Sequence, residues 1–254
     1  MEAELLLLAC GAFIAGFVDA IVGGGGLIQL PLLLAVFPGA PIAVLFGTNK
    51  LSSVAGTFTA TVLYARRIKI PREIAVPAAI AAIPGAALGA AAVSFLPPAT
   101  VRPLVLVLLL VVGTYTWLRP DFGRYQGHGL IRSSMRTTSA LTGFGLGFYD
   151  GFFGPGTGSF LVFAFVRLFG LDMVHASASA KLVNLATNAA ALSFFLLHQG
   201  VMWKVGLVMA VANVFGAQLG SHMALKHGNR FVRWILLTIV LVLSAKLGWD
   251  LLRS

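Results

Sequence analysis

The sequence has too few charged side chains to cover the surface of a soluble domain of its length. Only 18 Lys and Arg and 8 Asp and Glu occur among 254 residues, whereas 58% of the residues are hydrophobic. The mean hydropathy is +0.93. This composition excludes a soluble enzyme and a soluble nucleic-acid-binding protein. We therefore predict an all-α polytopic membrane protein that lies in the lipid bilayer and has no nucleic-acid partner.

Residues that would carry covalent, metal or ATP chemistry are also scarce. The single cysteine, Cys10, excludes an intramolecular disulfide and a cysteine-based metal site. The chain contains no Gly-x-x-x-x-Gly-Lys-Ser/Thr, no His-Glu-x-x-His and no Gly-x-Ser-x-Gly motif. We accordingly expect no catalytic residue, no metal and no cofactor.

Long apolar segments are abundant, and most are near the roughly 20 residues that one helical crossing requires. Two are longer, from Leu5 to Phe37 and from Thr138 to Gly170, and a glycine cluster interrupts each of them at 23–26 and at 154–158. Successive glycines weaken helix propensity, and Pro155 in the second cluster lacks an N–H donor. Each long segment is therefore predicted to be a re-entrant hairpin of two half-helices.

The two long segments belong to an internal repeat with a constant offset. The residue numbers differ by 131 in each of the pairs Asp19 and Asp150, Gly23 and Gly154, and Lys50 and Lys181. The chain is thus predicted to comprise a first transmembrane repeat at 1–118, a basic cytoplasmic linker at 119–136 and a second repeat at 137–254. Two repeats of about four hydrophobic segments are the plan of many secondary transporters.

The distribution of basic residues indicates that the repeats are inverted. The loop at 66–72 carries four basic residues, whereas its counterpart at 198–204 carries one lysine. The bias is reversed in the next loop, because 96–102 has one basic residue and 226–233 has three. Basic loops mark the cytoplasmic side, so equivalent loops are predicted on opposite sides of the cell inner (cytoplasmic) membrane.

Few ionisable residues stand at predicted membrane depth: Asp19, Lys50, Asp150 and Lys181, with Lys246 near a helix end, where it can reach the interface. A charge at bilayer depth must find a partner or face a wet pathway. One interpretation pairs Asp19 with Lys50 and Asp150 with Lys181, within each half; the other makes the aspartates sites of protonation or ion coupling. We favour a functional role for the lysines.

A helix that restarts after each glycine cluster would direct free N–H groups and a positive dipole end toward mid-membrane. Two such ends, with a lysine nearby, would suit a small oxyanion. The predicted substrate-binding residues are Gly23, Gly24, Gly25, Gly26, Asn49, Lys50, Gly154, Gly156, Thr157, Gly158, Ser159, Lys181 and Asn184.

The paired motifs resemble one known family. Residues 16–27 read GFVDAIVGGGGL and 47–51 read GTNKL, while 147–158 read GFYDGFFGPGTG and 180–184 read AKLVN. Together they resemble the TauE/SafE family of membrane transporters, also called sulfite exporters, over nearly the whole chain. The resemblance implies an inner-membrane permease for small anions, with sulfite, sulfonates and other organosulfur acids as the usual substrate class.

These observations predict a secondary transporter that moves a small anion by alternating access, coupled to the membrane potential, a proton or another ion. An anion channel is the alternative, because it would use the same half-helix dipoles. An intramembrane enzyme built on Ser159 is disfavoured by the missing motifs. Small-residue helix faces are compatible with a homodimer and equally with internal packing.

Overall fold

The computed structural model describes residues 2–95, 107 and 134–227. The predicted linker at 119–136 lies outside the described residues except for its last three. Two further apolar segments of the sequence also lie outside them, from Val101 to Leu118 apart from Val107, and from Trp234 to Trp249.

The described part of the chain is helical and contains no strand. Its eight helices are α1 (Glu2–Val22), α2 (Gly26–Val36), α3 (Ile42–Ala65), α4 (Arg72–Ser94), α5 (Met135–Phe152), α6 (Thr157–Phe169), α7 (Met173–His198) and α8 (Trp203–His227). Four of them, α1, α4, α7 and α8, are long and apolar enough to cross a membrane. The chain is therefore a multi-pass membrane protein.

The helices recur with the same offset as the sequence. The helices α2, α3 and α4 begin at residues 26, 42 and 72, and α6, α7 and α8 begin at 157, 173 and 203, so the members of each pair again differ by 131. Both long segments are interrupted at their glycine clusters, as expected, but the two parts are unequal. The first helix of each segment has 21 or 18 residues and the second has 11 or 13, because the glycine clusters lie past the middle of each segment.

The break between α1 and α2 requires glycine, as does the break between α5 and α6. Gly23 has φ of 74° and its repeat equivalent Gly154 has φ of 92°, a left-handed conformation that other residues rarely adopt. After the first break α2 folds back along α1, because Leu32 contacts Gly11 and Leu33 packs with Leu8. The chain thus makes a hairpin with its turn at the glycine cluster.

The two halves pack on each other through glycine faces. A Cβ added at Gly85 of α4 would lie 3.0 Å from the backbone N of Phe148 in α5. A Cβ added at Gly216 of α8 would lie 2.9 Å from the backbone N of Phe17 in α1. Gly85 and Gly216 are related by the repeat offset, and so are Phe17 and Phe148. The second contact is therefore the repeat of the first. Close contacts of this kind are typical of small residues at helix interfaces in membranes.

The outer faces of the helices are apolar. Large hydrophobic side chains such as Leu6, Ile80, Leu141, Leu197 and Phe215 are between 59% and 80% exposed. In water such surfaces would associate, whereas lipid tails cover them without penalty. Most of the buried polar side chains lie instead on α3 and α7, and the others lie on α2, α5, α6 and α8.

Two glycines on α5 provide a matched test of this packing. We expect Gly147→Ala to destabilise the protein by about 1–3 kcal/mol, because the new Cβ would lie 2.6 Å from the carbonyl oxygen of Ala82. Gly145→Ala should not destabilise the protein, since no described atom beyond its chain neighbours and its own helix backbone lies within 4 Å of its added Cβ, and alanine favours the helix more than glycine does. Thermal unfolding of both purified variants in detergent makes the comparison; equal melting temperatures would contradict the packing described.

Candidate functional site at the two helix breaks

The turns of the two hairpins touch each other. The hydroxyl of Ser159 donates a hydrogen bond to the carbonyl of Gly23. A Cβ added at Gly26 would lie 3.2 Å from Cα of Pro155, and one added at Gly158 would lie 2.5 Å from Cα of Gly23. The two glycine clusters therefore converge, and the contact leaves no room for larger residues at Gly23 and Gly158.

Two buried ion pairs connect the halves crosswise. Lys50 Nζ of α3 lies 2.8 Å from Asp150 Oδ2 of α5, and it also donates to Asn188 Oδ1 of α7 at 2.9 Å. Lys181 Nζ of α7 lies 3.1 Å from Asp19 Oδ2 of α1 and donates to the Asp19 carbonyl. The two lysine side chains are 2% and 0% exposed, so both charges depend on these partners.

The interpretation that each aspartate pairs with the lysine of its own half was wrong. The repeat offset relates Lys50 to Lys181 and Asp19 to Asp150, so the two crossed pairs are repeat equivalents of each other. Reciprocal contacts of this kind are what a two-fold relation between the halves produces. Among the residues described, the lysine of each half is therefore neutralised by the aspartate of the other half.

The two aspartates differ in their remaining bonds. Asp19 Oδ1 accepts from the backbone N–H groups of Gly24 at 3.1 Å and Gly25 at 3.3 Å, so its carboxylate caps the start of α2. Pro155 stands at the position equivalent to Gly24 and has no N–H. Asp150 consequently cannot make the bond that Gly24 offers Asp19.

A cavity of about 30 Å³ lies where the turns and ion pairs meet. Its size is on the order of the space that two water molecules need. Polar groups dominate its wall, which is formed by Asp19, Gly24, Gly25, Gly26, Gln29, Asn49, Lys50, Ser53, Asp150, Gly154, Gly156, Thr157, Gly158, Asn184, Asn188 and Asn213.

Most of the residues predicted from sequence line this cavity. Three predicted residues do not: Gly23, Ser159 and Lys181. Gly23 and Ser159 instead form the contact between the turns, and Lys181 is bonded to Asp19. Lys50 is thus the lysine on the cavity wall, and its bonds to Asp150 and Asn188 use two of its three N–H groups among the residues described.

Helical spacing brings the polar side chains of α3 and α7 to the cavity. Lys181, Asn184 and Asn188 follow one another at steps of three and four, which places them on one face of α7. Asn49 and Ser53 are likewise one helical turn apart on α3. Of these side chains, Asn49, Ser53, Asn184 and Asn188 line the cavity and place neutral donors and acceptors around the Lys50 and Asp150 pair.

Of the other lining residues, Ser53 and Asn188 belong to a polar seam that follows Lys50 and Lys181 in the sequence, whereas Gln29 and Asn213 were missed. Gln29 is the single amide in the apolar helix α2, which was a usable signal. Asn213 is 3% exposed in the middle of α8. Its amide Cγ would lie 2.8 Å from a Cβ at Gly56, so only glycine at position 56 admits this close approach.

A double-mutant cycle tests the crossed pairing. We expect Lys50→Met and Asp150→Asn each to destabilise the protein by about 3–5 kcal/mol, because each leaves one buried charge unpaired. The double variant should recover much of that loss, giving a coupling energy above about 1 kcal/mol. Unfolding free energies from denaturant titration in mixed micelles provide the measurement.

The matched control is the cycle that combines Lys50→Met with Asp19→Asn, the pair that sequence alone suggested. Its coupling energy should be smaller than that of Lys50 with Asp150, since Asp19 is bonded to Lys181. A larger coupling for Lys50 with Asp19 than with Asp150 would contradict the crossed arrangement.

Comparison with known proteins places this arrangement in a family. The model of the family described as Sulfite exporter TauE/SafE matches residues 8–247. A protein of a Sinorhizobium species named "Probable membrane transporter protein ORF9" is 37% identical over 246 residues, covering 97% of this chain and 93% of its own. The "Probable membrane transporter protein" of Haemophilus influenzae is 36% identical over 246 residues, covering 97% and 95%.

The "Probable membrane transporter protein YfcA" of Escherichia coli K12 is 35% identical over 239 residues, covering 94% of this chain and 87% of its own. No solved structure matches the chain. The family match spans nearly the whole sequence and includes both glycine clusters and both ion pairs. The resemblance seen in the paired motifs is therefore confirmed, and the chain belongs to the TauE/SafE sulfite exporter family.

Proposed function

We propose that the protein is a secondary transporter that moves a small anion across the cytoplasmic membrane by alternating access. The proposed cargo is sulfite, which the family's name mentions, or a sulfonate or another organosulfur acid, which the resemblance of the motifs implies. The observation that carries the proposal is the polar cavity that Lys50 and the start of α6 share at the junction of the two helix breaks. The transporter names of the relatives support it.

The anion would bind between Lys50 and the first turn of α6. Gly156, Thr157 and Gly158 line the cavity at the positive end of the α6 dipole. The start of α2 is less suited to a second anion, because the carboxylate of Asp19 already accepts its N–H groups. Lys50 supplies the full positive charge that an oxyanion requires.

Asp150 is the natural coupling group in this arrangement. While Asp150 is ionised it neutralises Lys50 at 2.8 Å and competes with the cargo for that charge. A proton on Asp150 releases the ammonium of Lys50 to the anion, so one anion and one proton would bind together. Asp19 is less suited to this role, since it holds Lys181 and two backbone N–H groups.

Inverted repeats at 1–118 and 137–254 would give the two states that alternating access needs. The reciprocal glycine contacts and ion pairs support a two-fold relation between the halves. The opposite charge bias of equivalent loops supports an axis in the membrane plane. Each hairpin would then be re-entrant, entering from its own side and meeting the other at the cavity.

Cysteine labelling tests the inversion. In a Cys10→Ser background, Arg67→Cys and His198→Cys place single thiols at exposed positions that the repeat offset relates to each other. We expect a membrane-impermeant maleimide to label the cysteine at position 198 in intact cells and the one at position 67 only after permeabilisation. Labelling of both from the same side would indicate parallel repeats.

Counterflow in proteoliposomes tests the transport activity. We expect labelled sulfite or a small sulfonate to accumulate when the vesicles are preloaded with the unlabelled anion, because a carrier exchanges one bound substrate for another. Lys50→Met should lower the exchange by at least about ten-fold, the loss expected when a charge-assisted bond is removed. Lys69→Met, on an exposed loop, should exchange like the wild type.

The Lys50→Met/Asp150→Asn variant separates an effect on anion binding from an effect on folding. It removes both charges of the pair, so neither is left buried without a partner. It should be monodisperse and inactive. Wild-type exchange by this variant would refute the role of Lys50, and anion flux without counterflow would identify a channel. Absence of flux for these anions in folded wild-type protein would refute the proposed substrate class.

A further inference from the structure

Gln29 is a buried amide in an otherwise apolar helix. The helix α2 reads GLIQLPLLLAV, and Gln29 is 1% exposed. Within the described part of the chain, neither Nε2 nor Oε1 of Gln29 has a hydrogen-bond partner. Burial without a partner is unfavourable, since the bonds to water are lost and not replaced. Packing alone would favour leucine at this position, so the amide points to a ligand.

The amide lies on the wall of the candidate site. Gln29 lines the same cavity as Lys50, Asn49 and Asn184. The Oδ1 atoms of these two asparagines also lack a hydrogen-bond partner among the described residues. The second half has Phe160 at the repeat-equivalent position. The repeated framework therefore does not require an amide at position 29, and we assign the function of this amide to the cavity.

The donor and the acceptor of a primary amide limit which ligands can satisfy all its hydrogen bonds. Nε2 donates and Oε1 accepts, and the argument is unchanged if the two ends of the amide are interchanged, because both lack partners within the residues described. A fully ionised oxyanion offers only acceptors, so it would satisfy Nε2 and leave Oε1 unpaired. A cargo that carries a donor close to its anionic oxygens satisfies both atoms.

We propose that Gln29 is a specificity-determining residue that selects a small oxyanion bearing its own hydrogen-bond donor. Nε2 donates to an anionic oxygen of the cargo, and Oε1 accepts from the cargo's hydroxyl, amine or acidic O–H. The proposal rests on the proposed transport function and adds the second hydrogen-bonding group of the substrate.

A pair of sulfonates that differ by one hydroxyl tests this selection in proteoliposomes of the full-length protein. Ethanesulfonate and 2-hydroxyethanesulfonate have the same charge, and only the second has a donor. We expect the wild type to exchange the hydroxylated anion at least about ten-fold more efficiently in counterflow, since a site built to bond a hydroxyl rejects the analogue that lacks it.

Two variants isolate the amide. Gln29→Met keeps the length of the side chain and removes both polar atoms, so the two sulfonates should be exchanged with efficiencies within about two-fold of each other. Gln218→Met makes the same change on an exposed position of α8 and should retain the wild-type preference. Equal exchange of both anions by the wild type, or a preference that survives in Gln29→Met, would overturn the proposal.

Thermal unfolding without any anion gives a readout that is independent of transport. If the amide is kept for a ligand, Gln29→Met should melt at a higher temperature than the wild type, because an unpaired buried polar group is removed. A lower melting temperature would show that the amide is satisfied within the protein and would overturn its assigned role. If neither sulfonate is exchanged, the proposed function fails for this class, while the melting comparison still decides the state of Gln29.

Discussion

The crossed ion pairs are the constraint on which the rest of the structure depends. A lysine at bilayer depth must be neutralised by a partner within the protein. Here the partner of each lysine lies in the other half, Lys50 with Asp150 and Lys181 with Asp19. The two halves must therefore approach until N and O atoms are about 3 Å apart. That approach brings both glycine turns into contact and encloses the cavity between them. Loss of one partner from either pair would leave the other charge buried and unpaired.

Glycine makes this approach sterically feasible. Hydrophobic association is weak in lipid, so helix contacts depend on close van der Waals packing and interhelical hydrogen bonds. Gly85 and Gly89 let α4 lie against the backbone of α5, and the repeat-equivalent glycines of α8 do the same against α1. Each hairpin is thus packed against the last described helix of the opposite half. The ion pairs and the glycine faces connect the same two halves, and both favour their close approach.

Much of the fold could be predicted from the sequence because the repeat offset is carried by rare residues. Aspartate, lysine and glycine within apolar segments located both hairpins, both lysines and most of the cavity wall. The offset relates a residue to its own copy, however, and it carries no information about which residue of the other half it contacts. That is why the pairing of Asp19 with Lys50 was inferred from proximity along the chain and proved wrong. Gln29 was missed for a related reason: it has no copy, since Phe160 occupies the equivalent position.

The residues that break the repeat make the two halves unequal at the candidate site. A perfectly repeated site would present two equal aspartates, two equal helix starts and the same side chain after each turn. Pro155 in place of Gly24 deprives Asp150 of the backbone donor that Gly24 gives Asp19 at the start of α2. Gln29 and Asn188 add amides where the other half has Phe160 and Thr57. In the proposed mechanism the repeated backbone supplies two conformations of similar energy, because each half can adopt the arrangement of the other. In the same mechanism the unrepeated side chains favour the binding of one anion at Lys50 and of one proton at Asp150. A repeated backbone can therefore hold a single substrate site.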